Sequence, residues 1–514
     1  MTKQHRPCAL RIDFLFLLFL TVQPLIDIYR TFFGDMLSIG PFAVEELANL
    51  AFLFALFLTA LLQCLHHGRL KNLFPYAGYF VLAGVYLVLH CLNMRQFDAS
   101  ILPESAVSSL SEAYYIFRTY LCPVLLLFLV WQCGIEDALF ARAIRIVVFT
   151  ISGVMVATNL LGISHVAYSG ENQQIRGSIF SWPSLSLSMT EAELALYTSK
   201  GWFQSANQVS ALLFSLCPFI VKDVIRTPSW KNSLLLCLQV LSMILLGTRT
   251  ASWGCLIVIL LMGLCALVLH ILRLERLPKW NVLPLLLVIV LCGAALGYVS
   301  PGQLTKRLNQ QDEVIDRPEP NESPDTADLP GSLTLSEYLD EYAYNYYINP
   351  WFLEIYPAEN DETFWRDILA RDRTLNIDNR AFKLHMLSRI QERNARSADK
   401  WLGFGYTTNA PYTERDYAYQ YYVFGILGVL LLMGPFFFAF LYGGVRMLTR
   451  AREFLNLENC ALLMAIGCML GIAYLSGHVF GILLNMFFLG TYCGKLLSNL
   501  KKRPSTVETE ASVQ

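Results

Sequence analysis

Long apolar runs, nearly free of charge, recur along almost the whole chain, and they limit what it can become more than any other feature. A helix needs about 20 such residues to cross roughly 30 Å of hydrocarbon. About twelve stretches approach that length: 12–32, 47–65, 74–92, 113–131, 146–163, 204–221, 234–248, 250–272, 282–299, 422–442, 461–475 and 479–497. The fold expected is an all-α polytopic membrane protein. Composition agrees, since 55% of the 514 residues are hydrophobic, only 15% are charged and the mean hydropathy is +0.45. A soluble protein of this length does not carry so much apolar surface.

Lysine and arginine then orient the spans. The short connections at 69–71, 142–145, 222–231, 273–279 and 446–452 are basic, as are both termini. By the positive-inside rule that side and both termini are cytoplasmic. The basic start followed by an apolar run from Phe14 reads as a retained first span. No small-residue cleavage site follows it, and Asp27 and Arg30 interrupt it.

Four regions follow: spans one to nine in 1–300, with an extracytoplasmic connection at 164–203; a large, partly helical extracytoplasmic loop at 301–416, between spans nine and ten; spans ten to twelve in 417–500; and a cytoplasmic tail at 501–514. Loops of this size are usually functional. The large one opens with an acidic, proline-rich stretch at 317–331, expected to be disordered or a hinge. Thr334 and Glu337 then form a capping-box pattern, and Asp378 is placed to cap a helix running to Asn394.

Several function classes fall away. A formal net charge of −1, a pI near 6.7 and no polybasic run leave nothing to grip nucleic acid. No Walker A or GxGxxG pattern supports a nucleotide-driven pump. The thirteen cysteines lie in apolar segments or short connections, which implies buried, inert thiols and no disulfide framework. His90, His385 and His478 are isolated and read as structural. Without HExxH or an EF-hand cluster, no metal or other cofactor is expected.

Charges inside spans are costly and mark function. Asp27 and Arg30 end the first span, Glu45 and Glu46 begin the second, Arg118 sits in the outer half of the fourth and Arg249 separates the seventh from the eighth. All lie at the outer ends, where a lipid headgroup sits, so the polar site faces outward. The competing reading is ion pairing of Arg118 with Glu45 or Glu46.

Local patterns resemble the O-antigen ligase and O-antigen polymerase superfamily. GWFQSANQVSALL, from Gly201 through Asn207, is similar to its G-x-F-x-x-x-N segment. LLGTRTASWGCLIVILL, around Arg249, resembles its arginine-bearing turn, and NRAFKLHMLSRIQERN followed by WLGFGY resembles its loop helix and G-x-G step. Ligases carry a histidine, a small polar residue, nine residues and then Gly-x-x-Gly. Here Glu414 and Arg415 precede nine residues, then Gly425 and Gly428, so the spacing fits and the histidine is absent.

The resemblance implies transfer of a glycan from an undecaprenyl-pyrophosphate carrier to an acceptor sugar hydroxyl at the outer membrane face, by a polymerase or a ligase, with the lipid bilayer as its setting. Because the histidine is missing, a carboxylate-based polymerase or related enzyme fits better. A guanidinium binds pyrophosphate oxygens bidentately and stays charged, which suits Arg249, with Arg380, Arg176 and Lys200 as helpers and Arg118 and Asn207 also at the substrate; the competing readings are an interfacial anchor for Arg249 and solvated surface charges for the loop arginines. Glu414 or Asp416, standing before the tenth span, is the candidate base for the acceptor hydroxyl; the competing reading is a helix N-terminal charge. The aromatics of EYLDEYAYNYYINPWFLEIYP are candidates for stacking on sugars, or for an interfacial belt. The rival function is a transporter or flippase of lipid-linked glycans, which predicts repeats and charges at the midplane.

Overall fold

Each apolar run folds as a helix, because lipid offers no partner to backbone N–H and C=O groups and a helix satisfies them internally. A computed structural model describes residues 9–34, 38–39, 42–66, 74–167, 172–186, 188–276, 281–312, 334–346, 348–371, 376 and 379–501. The spans are Ala9–Phe33, Val44–His66, Phe74–Met94, Ser109–Cys133, Asp137–Leu160, Ala206–Arg226, Trp230–Leu245, Arg249–Ile271, Val282–Tyr298, Asp416–Thr449, Leu457–Leu475 and Leu483–Lys501. Nine are long and apolar enough to cross a bilayer by length and composition, Trp230–Leu245 and Val282–Tyr298 are shorter apolar helices, and Leu483–Lys501 is more polar than the nine and takes its place as the twelfth by lying inside the bundle. The protein is an all-α polytopic membrane protein. Among the described residues the only strands are two short ones, Ser38–Ile39 against Phe42–Ala43.

Like the sixth span, Ala206–Arg226, which is almost wholly buried, the twelfth lies inside the bundle. Every residue from Leu484 to Leu500 is buried, including Asn485, Thr491, Lys495 and Asn499. Its environment is protein on all sides, so polar residues that would be costly against lipid find partners here. Gly490 and Gly494 press it onto the fourth span: an added Cβ would stand 2.5 Å from the Pro123 carbonyl oxygen and 2.5 Å from that of Leu127. Small residues four apart are how membrane helices approach closely.

Charges gather at the two ends of the bundle. At the end bearing the short basic connections, Lys222 Nζ stands 2.8 Å from Glu458, Arg226 Nε 2.9 Å from Glu275 and Arg145 2.8 Å from Asp223, while Lys495 pairs with Asp137. The opposite end, the loop face, carries the two long connections. The twelve described cysteines are free, and Cys133, Cys237 and Cys292 are exposed on the outside of the bundle, where the sequence reading expected burial.

The described part of the large loop packs around Phe352, Phe364, Trp365, Phe382, Met386 and Ile390. The capping box at Thr334 and Glu337 forms as expected. The helix Arg380–Asn394 is present, but Asn379 precedes it in a left-handed conformation. Asp378 and the acidic stretch 317–331 lie outside the described residues. Tyr338, Tyr346 and Tyr356 are buried in this unit, with Tyr338 and Tyr346 hydroxyls 3.1 Å apart and Tyr356 donating to Asp361 at 2.6 Å. They form the loop's core and cannot serve as the sugar-stacking surface expected of that segment.

The end of the loop is tied into the tenth span. That helix breaks at Gly425 (φ 67°, ψ 179°), and the freed carbonyls of Tyr422 and Val423 accept from Phe404 N (3.1 Å) and Gly405 N (3.0 Å). This closeness explains the G-x-G step. A Cβ on Gly403 would meet the Val423 carbonyl oxygen at 2.1 Å, and one on Gly405 would meet Met94 Sδ at 2.4 Å. From the third and fourth spans, His90 contacts the Leu402 carbonyl oxygen at 2.6 Å, and Glu112 accepts from Tyr406 N and Thr407 N, each at 2.9 Å.

Candidate functional site

On the loop face the ends of spans one, two, four, six, ten and twelve leave two adjoining cavities of about 420 and 580 Å³. Both are bordered by Arg30, Glu45, Glu46, Gln204 and Ser205. The larger continues past Thr31, Asn172, Lys200 and Asn207. The smaller is walled by Asp27, Arg118, His478 and four tyrosines, Tyr115, Tyr406, Tyr412 and Tyr419.

Local sequence explains how each group arrives. Thr198–Asn207 enters the sixth span through Gly201 (φ 67°), where a Cβ would stand 3.0 Å from Met155 Cγ. That turn brings Lys200 beneath the loop, where its ammonium donates to the Gln204 carbonyl at 3.0 Å. Burial lowers the Lys200 pKa and Asp27 pulls it back up. Arg118 stands in a widened turn, Phe117–Leu121, inside the fourth span. It pairs with Glu46, which also accepts from the Tyr114 hydroxyl at 2.7 Å, so the ion pair weighed from sequence forms. Asp27 accepts from Gln208 Nε2 (2.8 Å) and Gln204 N (3.3 Å).

The two candidate bases are otherwise engaged. Asp416 is wholly buried and accepts four bonds: Oδ1 from the Tyr412 hydroxyl (2.6 Å) and His478 N (3.1 Å), Oδ2 from Val479 N (2.8 Å) and Phe480 N (2.9 Å). A carboxylate has about four lone-pair sites, so no oxygen is left for an acceptor's proton. It fastens the turn between spans eleven and twelve. Glu414 Oε2 is held by Arg380 through Nε (3.1 Å) and Nη2 (2.8 Å), while Nη1 donates to the Leu475 carbonyl. Two expected site residues thus meet each other, and neither borders a cavity.

The turn that Asp416 fastens carries the residue the sequence reading set aside. Gly477 (φ 66°) and His478 (φ 63°) are both left-handed, an uncommon conformation for histidine that the surrounding bonds hold. The imidazole borders the smaller cavity beside Tyr412, ring centroids 5.5 Å apart, and among the described residues its ring nitrogens have no hydrogen-bond partner. Burial lowers the His478 pKa; Asp416 and Glu414 raise it, and Lys383 and Arg380 lower it. It is therefore neutral at neutral pH. Only the Gly-His pair between two apolar runs hinted at this in the sequence; the 62-residue separation from Asp416 hid the rest.

The hook at residues 401–406 delivers Tyr406, 40% exposed, onto Tyr115 with ring centroids 3.8 Å apart and planes 5° from parallel. Of the remaining expected residues, Arg176 lines neither of these two cavities. Arg249 begins the eighth span; the turn before it packs on the Lys200 segment, with Ser199 N donating to the Leu245 carbonyl and an added Gly247 Cβ 2.9 Å from Thr198. Arg176 is exposed on the 164–203 connection. No group of three or more His, Cys, Asp or Glu able to hold a metal occurs among the described residues.

No curated protein matches the chain. A family model described as O-antigen ligase like membrane protein matches residues 11–503, nearly the entire sequence. The chain belongs to the O-antigen ligase like family of membrane proteins.

Proposed function

We propose that the protein transfers a glycan from an undecaprenyl-pyrophosphate carrier to an acceptor sugar hydroxyl at the outer face of the cytoplasmic membrane, with its loop face and both cavities outward and its termini inside. The family consists of membrane glycan ligases and polymerases. The supporting observation is that a polar cavity bearing Arg30 and Lys200 adjoins, across Arg30, a cavity lined by tyrosines and an imidazole.

In this reading the pyrophosphate, with about two negative charges, lies against Arg30 and Lys200, which stabilise the charge that grows as it leaves. Arg249, on the same face, adds to that field. The acceptor sugar stacks on Tyr406 in the smaller cavity. His478 takes the acceptor hydroxyl's proton as its oxygen bonds to the anomeric carbon and the carbon–oxygen bond to phosphate breaks. Attack from the face opposite the leaving group inverts that carbon. Arg380, Glu414 and Asp416 position His478, and Arg118 and Asn207 border the substrates.

The test is transfer in nanodiscs from carrier-linked glycan to acceptor. Lys200→Ala and Arg30→Ala raise the donor KM, whereas His478→Asn lowers kcat with donor binding retained. Purified protein that moves the carrier-linked glycan across the bilayer and forms no glycosidic bond is a flippase, and the proposal fails.

A further inference from the structure

Glu45 stands where the two cavities meet, and it is unlike its acidic neighbours. Glu46 is matched by Arg118 and Tyr114, and Asp27 by Gln204 and Gln208. The Glu45 side chain is only 7% exposed; its Oε1 lies 3.5 Å from Arg30 Nε and its Oε2 is buried with no hydrogen-bond partner among the described residues. A buried acceptor without a donor is destabilising, and more so on a charged group. Arg118, which also borders the smaller cavity, has its Nε likewise buried without a partner among the described residues. A ligand group seated there that both donates and accepts, with a small shift of the two side chains, satisfies both atoms.

We infer that Glu45 reads the substituent at C2 of the donor sugar, and that this substituent must be a hydroxyl or an amide bearing N–H. The inference rests on the transfer reading above. Phosphate held by Arg30 brings the attached anomeric carbon beside Glu45, and C2 is the donor-bearing ring position closest to that carbon. The C2 hydroxyl or amide N–H donates to Glu45 Oε2, and its oxygen accepts from Arg118 Nε. The site therefore selects the first sugar of the carrier-linked unit as well as gripping its pyrophosphate. A pocket built to bond a substrate hydroxyl discriminates strongly against an analogue lacking it.

The experiment compares a synthetic polyprenyl-pyrophosphate-linked monosaccharide with its 2-deoxy counterpart, on the intact protein and on Glu45→Ala and Glu45→Gln. All three proteins are checked first for monodisperse elution and for binding of the carrier pyrophosphate. Intrinsic reactivity of the deoxy sugar cancels in the comparison between proteins. The kcat/KM preference for the hydroxyl donor falls by about 10- to 100-fold in Glu45→Ala, the range of a hydrogen bond to a charged group, and falls less in Glu45→Gln, whose amide oxygen still accepts. An unchanged preference in both variants overturns the inference. Glu45→Gln inactive toward both donors, with carrier binding intact, also overturns it, because Glu45 then takes the acceptor's proton. No transfer by the intact protein from either donor overturns the transfer reading itself.

Discussion

Replacing Asp416 by asparagine separates a fastening carboxylate from a proton acceptor. In the protein its two oxygens accept four bonds, from the Tyr412 hydroxyl and from the backbone N–H groups of residues 478, 479 and 480. An amide nitrogen in place of Oδ2 faces two N–H donors, whereas in place of Oδ1 it faces the His478 N–H while the Tyr412 hydroxyl can turn to accept from it. Hydrogen bonds to a charged group contribute about 1.5–3 kcal/mol each, so losing one or two costs about 1.5–6 kcal/mol, a sizeable share of a typical stability of about 5–15 kcal/mol. Glu414→Gln breaks only a pair whose side chains are 31% and 35% exposed, worth about 0–1 kcal/mol. Fluorescence-detected size exclusion after heating reads both: Asp416→Asn melts far earlier than the intact protein, and Glu414→Gln melts with it and still transfers glycan. An Asp416→Asn protein that is as heat-resistant as the parent yet catalytically dead would make Asp416 the base and refute this reasoning.

Gly403→Ala places a Cβ 2.1 Å from the Val423 carbonyl oxygen at φ 76°, which costs about 2 kcal/mol or more from handedness and overpacking together; expect a lower melting temperature and a raised acceptor KM as Tyr406 shifts. Because burial holds the His478 pKa below its usual 6.5, the imidazole is neutral above that value. Transfer therefore falls as pH drops through the lowered pKa, and a pH–rate profile of His478→Gln lacks that acid limb. Transfer also persists in EDTA, since arginine and lysine carry the leaving group's charge; activity lost on chelation and restored by magnesium or manganese contradicts this.

How far the sequence reached depended on range. Spans were legible because each is a local run: the ninth was expected at 282–299 and is Val282–Tyr298, and the seventh, expected at 234–248, is Trp230–Leu245. The capping box at Thr334 was equally local. Span ten was expected at 422–442 and begins at Asp416, because its first turns are polar and paired with the 401–406 hook. The cavity linings were partly legible in Lys200 and Arg118, since charge near a span end is itself a signal, and in Asn207 through the G-x-F-x-x-x-N pattern. His478, Tyr406 and the unmatched oxygen of Glu45 were not, since each acquires its meaning from partners on other spans. Spacing before the tenth span singled out position 414, while the imidazole bordering the cavity comes from the turn between spans eleven and twelve.

The polar, fully enclosed twelfth helix bears on how the protein is assembled. Enclosed by protein and less apolar than the nine helices able to cross a bilayer by composition, it gains little from lipid, so a bilayer alone holds it weakly. The surfaces that receive it belong to spans four, six, ten and eleven, all made earlier by the ribosome. It enters as a plug docking into a bundle already in place. Its first turn, Leu483 and Leu484, closes one wall of the smaller cavity, and the connection behind it carries His478. The order of synthesis thus leaves the smaller cavity without that wall until the other eleven helices have been made.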